Sequence, residues 1–410
     1  MNFRKAIRAI SVIGPAILVS VELFDPASIV TATAAGAAFG FNVLWAAFYS
    51  GLMLIVIQEI SARLGVVTGK TLAENIHQKF GKLYSLILFL PSILLDFSTL
   101  TAEVMGLSLA ISFVFDVPYY VSTIASIVLT VFILILGSYD IIEKIVMFLV
   151  TIVFFSYFYL LFKLDVPLLT LVENSILPYL NENAFYYAEA VLGASIMPTY
   201  VVLHSGLVYE KGWFHHHHKG IEDLTKKGED YVTNERIDSV FSLFMGTLLN
   251  IAIIACAATT LSTGKNINEF LDIAFPFSNA LGNIGLLLFV LAFISAGISA
   301  TITVTLASVY NTLGFLGLEE RMNNKKFKLM TILWPIIAGI ASFLPNKVQI
   351  IVFSQYLNGV LLPLIVIPLL IITRDEKIMK RYKIGKLITF LALIIVTVTT
   401  LLFITPFLFH

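Results

Sequence analysis

The sequence predicts an all-α polytopic membrane protein, and three observations carry that prediction. The 410-residue chain is 58% hydrophobic and only 13% charged. A soluble domain is about half apolar and about a quarter charged, so this chain has too few charges to cover a water-facing surface of its size. Apolar segments long enough to cross a bilayer, which takes about 20 residues each, follow one another from end to end. The basic residues are also sorted. Threaded with the N-terminus in the cytoplasm and the C-terminus outside, all 26 Lys and Arg fall on the cytoplasmic side except Lys163, Lys265 and Lys347. Net charge is zero, which argues against a nucleic-acid partner. The single cysteine, Cys256, excludes an internal disulfide framework.

Eleven spans are expected, near 10–38, 43–66, 84–114, 118–138, 142–162, 184–209, 235–261, 278–316, 328–345, 348–373 and 386–408. The first has a basic front (Arg4, Lys5, Arg8) like a signal peptide. No small-residue cleavage site follows, so it is expected to be retained. The basic clusters at 63–82, 211–236, 321–328 and 374–386 mark cytoplasmic loops after the second, sixth, eighth and tenth spans. The eighth span is long for one crossing: residues 273–318 carry no charge, and an interfacial turn is expected around Pro276 and Gly282.

Two spans carry a proline where a helix should break. Between Arg8 and Glu59 the only charges are Glu22 and Asp25, and Pro26 follows directly. Pro removes a backbone donor and crowds the preceding turn, so the first span should break at 24–26. An Asp at mid-membrane costs roughly 2.5–3.5 kcal/mol on insertion scales. It is tolerated where it faces a polar path or a cation. Irregular backbone at that depth survives only around a cavity or inside protein, and a break frees carbonyl oxygens beside Asp25. The bland alternative is a proline kink with Asp25 held neutral by a neighbour. The sixth span repeats the device, with Met197-Pro198 preceded by Gly193, Ala194 and Ser195. Paired interrupted helices at corresponding positions point to a transporter site at a repeat interface. The chain is therefore expected to be one domain, 1–410. It divides into a first repeat at about 9–163, an inverted second repeat at about 184–373, and an added helix at about 386–408. Asp25 offers charged oxygen, the Ala194 turn a carbonyl, Ser28 a hydroxyl and Met197 a soft thioether. Most methionines in apolar helices serve packing. Asp and Met at two facing breaks point instead to a borderline divalent ion such as Mn²⁺ or Fe²⁺.

These segments resemble the Nramp family of divalent metal transporters. The family's first helix carries Asp-Pro-Gly-Asn, and this chain has Asp25-Pro26-Ala27-Ser28. Its sixth carries Met-Pro-His and then His-Ser; here stand Met197-Pro198-Thr199 and His204-Ser205. "SARLGVVTGKTLAE" (61–74), "TAEVMG" (101–106), "SAGISATITVTLA" (295–307) and "SQYLNGVLLP" (354–363) look like further family segments. The resemblance implies the inverted five-plus-five repeat of the sodium-coupled amino-acid transporters. It also implies an ion site of Asp25, Met197 and the Ala194 carbonyl, with Gln355 as a closing ligand and Ser28 in place of the Asn ligand.

The departures bear on proton coupling. The family's His after Met-Pro is Thr199, an acid usual in the third helix is Leu100, and 329–346 holds no Lys or Arg where the family has paired arginines. Asp25, Glu103 and His204 remain of the proton route, with Glu22 and Asp96 as substitutes. A related group of the family carries Mg²⁺, which prefers oxygen and keeps waters. Ser28 and Glu22 lean that way and Met197 leans against it.

Other features have plainer readings. His204 reads equally as a titratable group or a helix histidine bonded to a carbonyl. Asp96 and Glu189 are expected near the membrane surface, and Asn250 and Asn358 are expected to bond across helices. The histidine run at 215–218 looks like a metal-binding tract but reads first as a solvated loop.

The expected function is import of a divalent metal by a monomer in the cell membrane, by alternating access. The ion is cargo; no cofactor is expected, and protons are the open second partner. The competing readings are an Mg²⁺ transporter without proton coupling, a non-transporting receptor on this fold, and an organic-solute transporter. An anionic Asp25 would repel a substrate carboxylate in the last of these. No nucleophile–base pair or zinc-protease motif suggests an enzyme.

Overall fold

A computed structural model describes residues 25–136, 151, 154–179, 182–208, 240, 244–261, 264–318 and 324–408. Glu22 and the histidine run lie outside the described residues. No strand occurs among those described. The helices are α1 (Pro26–Phe39), α2 (Leu44–Thr68), α3 (Leu72–Phe115), α4 (Tyr119–Leu136), α5 (Phe154–Lys163), α6 (Leu168–Ile176), α7 (Glu182–Ser195), α8 (Pro198–Val208), α9 (Phe244–Thr260), α10 (Phe270–Phe315), α11 (Lys325–Ala341), α12 (Lys347–Thr373), α13 (Glu376–Met379) and α14 (Lys386–Leu408).

Helix lengths must answer to a hydrocarbon core about 30 Å thick. α3 and α10 have 44 and 46 residues, or roughly 65–70 Å at 1.5 Å per residue, about twice what one crossing needs. Each is broken by a glycine in a positive-φ conformation: Gly81 (φ 80°) in α3 and Gly282 (φ 60°) in α10. A side chain would be strained there and glycine is not. The turn expected around Pro276 and Gly282 thus falls at Gly282, while Pro276 stays helical. By length and apolarity, five stretches among the described residues qualify as crossings. A sixth is added if α5 and α6, bent at 117°, form one broken span. A described helix also overlaps each of the eleven expected segments.

The polarity of the molecule is inside out. Large apolar side chains such as Leu90, Ile124, Phe132, Leu387 and Phe390 are exposed, while Asp25, Asp96, Glu103, Glu189, His204 and Gln355 are buried. Asp96 and Glu189, expected near the membrane surface, are both fully buried. They lie on α3 and α7, the helices that pack into the centre of the bundle. α3 packs most heavily on α10 and α12, and α7 on α12, α2 and α1. α14 lies outside, against α12, α7 and α2.

At one end of the bundle, Arg63 pairs with Glu59 and also donates to the Tyr382 carbonyl at 3.4 Å. Lys79 pairs with Asp375, which holds that carboxyl below the usual carboxylate range. These links tie α2 and α3 to the segment after α12.

Candidate metal-ion site

Pro26 and Pro198 both stand at the first position of a helix, where a missing N–H costs nothing. Asp25 is extended (φ −84°, ψ 163°), and one of its carboxylate oxygens accepts the Ser28 amide, so it caps α1. α7 stops at Ser195, Ile196 and Met197 are non-helical, and α8 starts at Pro198. A proline alone does not make such a break. Pro91, Pro276, Pro335, Pro363 and Pro368 lie inside helices that continue through them.

The two breaks meet. The Ser28 hydroxyl donates to the Ala194 carbonyl at 3.2 Å, joining the start of α1 to the end of α7. A helix C-terminus presents unpaired carbonyls and partial negative charge, which suits a cation. Met197 is 1% exposed and belongs to an apolar cluster with Leu100 and Val104 of α3. Glu103, on the same stretch of α3, has its carboxyl beside that of Asp25. α3 therefore touches both breaks. Pro26 is seated against Gly106, which has no room for a Cβ, and against Gly297, where a Cβ would be tight.

Several buried polar atoms here lack a hydrogen-bond partner. They include the second oxygen of Asp25, both oxygens of Glu103 and Nε2 of Gln355. Leaving buried polar groups unpaired costs about 1–3 kcal/mol each; a cation bound among the oxygens would repay theirs, and water could serve the amide. The free Asp25 oxygen, the Ala194 carbonyl and the Ser28 hydroxyl are the oxygens at the joined breaks, and Met197, at the second break, brings the one thioether. Gln355 is fully buried, but its Oε1 accepts from Asn358 at 3.1 Å. That bond uses one of the oxygen's two lone pairs and leaves the other for an ion. Among the described residues no three His, Cys, Asp or Glu side chains converge, so any ion held here relies on carbonyl, hydroxyl and thioether groups as well.

The remaining expected residues are placed as follows. His204 is buried, and its Nδ1 bonds Oε1 of Gln58 on α2 at 2.7 Å. Asn358 spans to Thr99, and Asn250 donates to the Ser195 hydroxyl at 3.2 Å. Asp96 carries more polar contacts than a surface acid would. One of its oxygens accepts from both Thr199 (2.8 Å) and Asn311 (2.9 Å). The available signal was its spacing: residues 96, 99 and 103 share one helix face.

Fold and site together define a multi-pass membrane protein of the transporter type built on two broken helices. The chain belongs to the Nramp family: it matches the family described as natural resistance-associated macrophage protein-like over residues 16–408. It is 28% identical over 409 residues to the divalent metal cation transporter MntH of Mesorhizobium japonicum, covering 96% of this chain and 88% of that one. The fold matches the manganese transporter of Eremococcus coleocola with TM-score 0.82 at 21% identity, over 98% of this chain and 87% of that one. MhsT, solved with L-phenylalanine, matches with TM-score 0.63 at 12% identity, over 96% and 97%. The fold is thus shared with MhsT as well, and the chain's curated relatives are metal transporters, not enzymes.

Proposed function

We propose that this protein imports a borderline divalent ion, Mn²⁺ or Fe²⁺, by alternating access. The observation that carries this reading is the meeting of the two helix breaks, joined by the Ser28–Ala194 bond and leaving one Asp25 oxygen free. Asp25, the Ala194 carbonyl and Met197 replace part of the ion's hydration, and Ser28 reaches it directly or through water. Gln355 joins through the second lone pair of its oxygen, the first being held by Asn358. The N-terminus is cytoplasmic and the C-terminus outside, with eleven crossings divided into repeats at about 9–163 and 184–373. The MntH relative and the E. coleocola transporter support the substrate class, and Met197 supports a borderline over a purely hard ion.

Glu103, beside Asp25, is the remaining carrier of a proton route in the described site, with His204 further along α8. A second reading, Mg²⁺ transport without protons, is favoured by one observation: Ser28 stands where an amide oxygen would otherwise reach the ion. The test is Mn²⁺ uptake into proteoliposomes by Asp25→Ala. Uptake is expected to fall to the protein-free leak while the helical circular dichroism is retained. Uptake at the unmodified rate would reject Asp25 as a ligand.

A further inference from the structure

Beyond the paired breaks, the described residues hold a second concentration of unpaired oxygen. A narrow void is lined by Ser92 and Asp96 of α3, Pro198 and Thr199 of α8, Asn311 of α10 and Ile365 of α12. Asp96 is fully buried and Asn311 is 2% exposed. Three oxygens in this group lack a hydrogen-bond partner: the Ser92 hydroxyl, the second carboxylate oxygen of Asp96 and the Asn311 side-chain carbonyl. The pattern is lopsided. Thr199 and Asn311 both donate to one Asp96 oxygen, at 2.8 and 2.9 Å, and nothing donates to the other. A buried carboxylate built for packing alone would have both oxygens satisfied. This one is held by its first oxygen with the second left free, beside two more acceptors.

The void adjoins the break of the sixth span, because Pro198 and Thr199 follow Met197 directly. Asp96 precedes Glu103 by seven residues, about 10 Å along the helix. Under the proposed topology that displacement is toward the cytoplasm. Passage through a pore or carrier needs sites that bind well enough to accept an ion and weakly enough to release it, which several sites in series achieve. We propose that Asp96, Asn311, Ser92 and Thr199 form an all-oxygen inner subsite that receives the divalent cation from the Asp25–Met197 site on its way to the cytoplasm. The donors are hard, so the subsite takes Mn²⁺ or Mg²⁺ in preference to Cd²⁺. The void is tight as it stands, so occupancy requires α8 to draw away from α3.

The inference rests on the proposed metal-ion site, and two variants separate the two claims. Asp25→Ala tests the outer site; Asp96→Asn, which keeps an acceptor for Thr199, tests the subsite. In purified full-length Asp96→Asn, equilibrium Mn²⁺ and Cd²⁺ binding are expected to stay within about twofold of the unmodified protein, while Mn²⁺ uptake by proteoliposomes falls about tenfold or more. As a direct readout, Asp25→Ala/Met197→Ala protein at millimolar Mn²⁺ is expected to show a residual bound-Mn²⁺ electron paramagnetic resonance signal. Adding Asp96→Asn should remove that signal. The subsite is overturned if Asp96→Asn transports at the unmodified rate, if binding and uptake fall in parallel, or if the residual signal is absent or survives the third substitution. If Asp25→Ala transports normally, the outer site fails instead.

Discussion

At the residue scale, the question is what a thioether adds to a site otherwise made of oxygen. Met197 is buried with Leu100 and Val104, so part of its contribution is packing. Met→Ala in a core costs about 2–5 kcal/mol, and lost stability alone would lower every activity together. The informative quantity is therefore a ratio. Met197→Ala is expected to weaken Cd²⁺ binding about tenfold more than Mg²⁺ binding, with Mn²⁺ between, because sulfur favours softer ions. Calorimetric titration with the three ions measures this directly, and equal losses for all three would reduce Met197 to packing. Asp25, Ser28, Ala194 and Met197 could be picked from the sequence because each lies within four residues of a proline inside a long apolar run. Asp96 could not be ranked the same way. Its importance depends on Thr199 and Asn311, which lie more than 100 and more than 200 residues away and meet it only through tertiary packing.

At the element scale, the site exists because α7 stops where α12 passes very close. A Cβ on Gly193 would lie 1.9 Å from the Gln355 carbonyl oxygen and 2.4 Å from the Gly359 amide nitrogen. Both are backbone atoms, so relief requires moving a helix. Overpacking of this kind costs about 1–3 kcal/mol. Gly193→Ala is expected to lower the melting temperature in detergent and weaken Mn²⁺ binding together, because the helix it displaces carries Gln355 and the end it distorts carries Ala194. Gly385→Ala, where a Cβ meets nothing within 4 Å, provides the control and should change neither. Matching melting curves for the two variants would mean that the α7–α12 approach has slack the geometry does not suggest. The pattern of spans was legible from hydropathy and basic residues. The glycine breaks at Gly40, Gly81 and Gly282 were only partly so, since φ 60–80° leaves no mark distinguishing these glycines from the other 21 in the chain.

At the scale of the whole molecule, the remaining question is what drives the ion. Groups that could pass a proton are sparse and constrained. Thr199 has no titratable side chain and is bonded to Asp96, His204 is bonded to Gln58, and 329–346 carries no Lys or Arg. The energetics do not require a proton. One elementary charge crossing a potential of 100 mV is worth about 2.3 kcal/mol, so a divalent ion gains about 4.6. That is enough for accumulation on the order of a thousandfold, since each 1.4 kcal/mol is tenfold. One proton moving down a one-unit pH gradient supplies only about 1.4 kcal/mol. Proteoliposomes given a negative-inside potassium diffusion potential are therefore expected to take up Mn²⁺ several-fold faster than unpolarised ones. A one-unit inward pH gradient should change the rate by less than about twofold, and an interior pH dye should report little acidification during uptake. Metal-dependent acidification comparable to the Mn²⁺ flux would show that Asp25 and Glu103, the two carboxyls that lie side by side, exchange a proton with each arriving ion. The molecule would then couple proton and metal through that pair without the family's histidine and arginines.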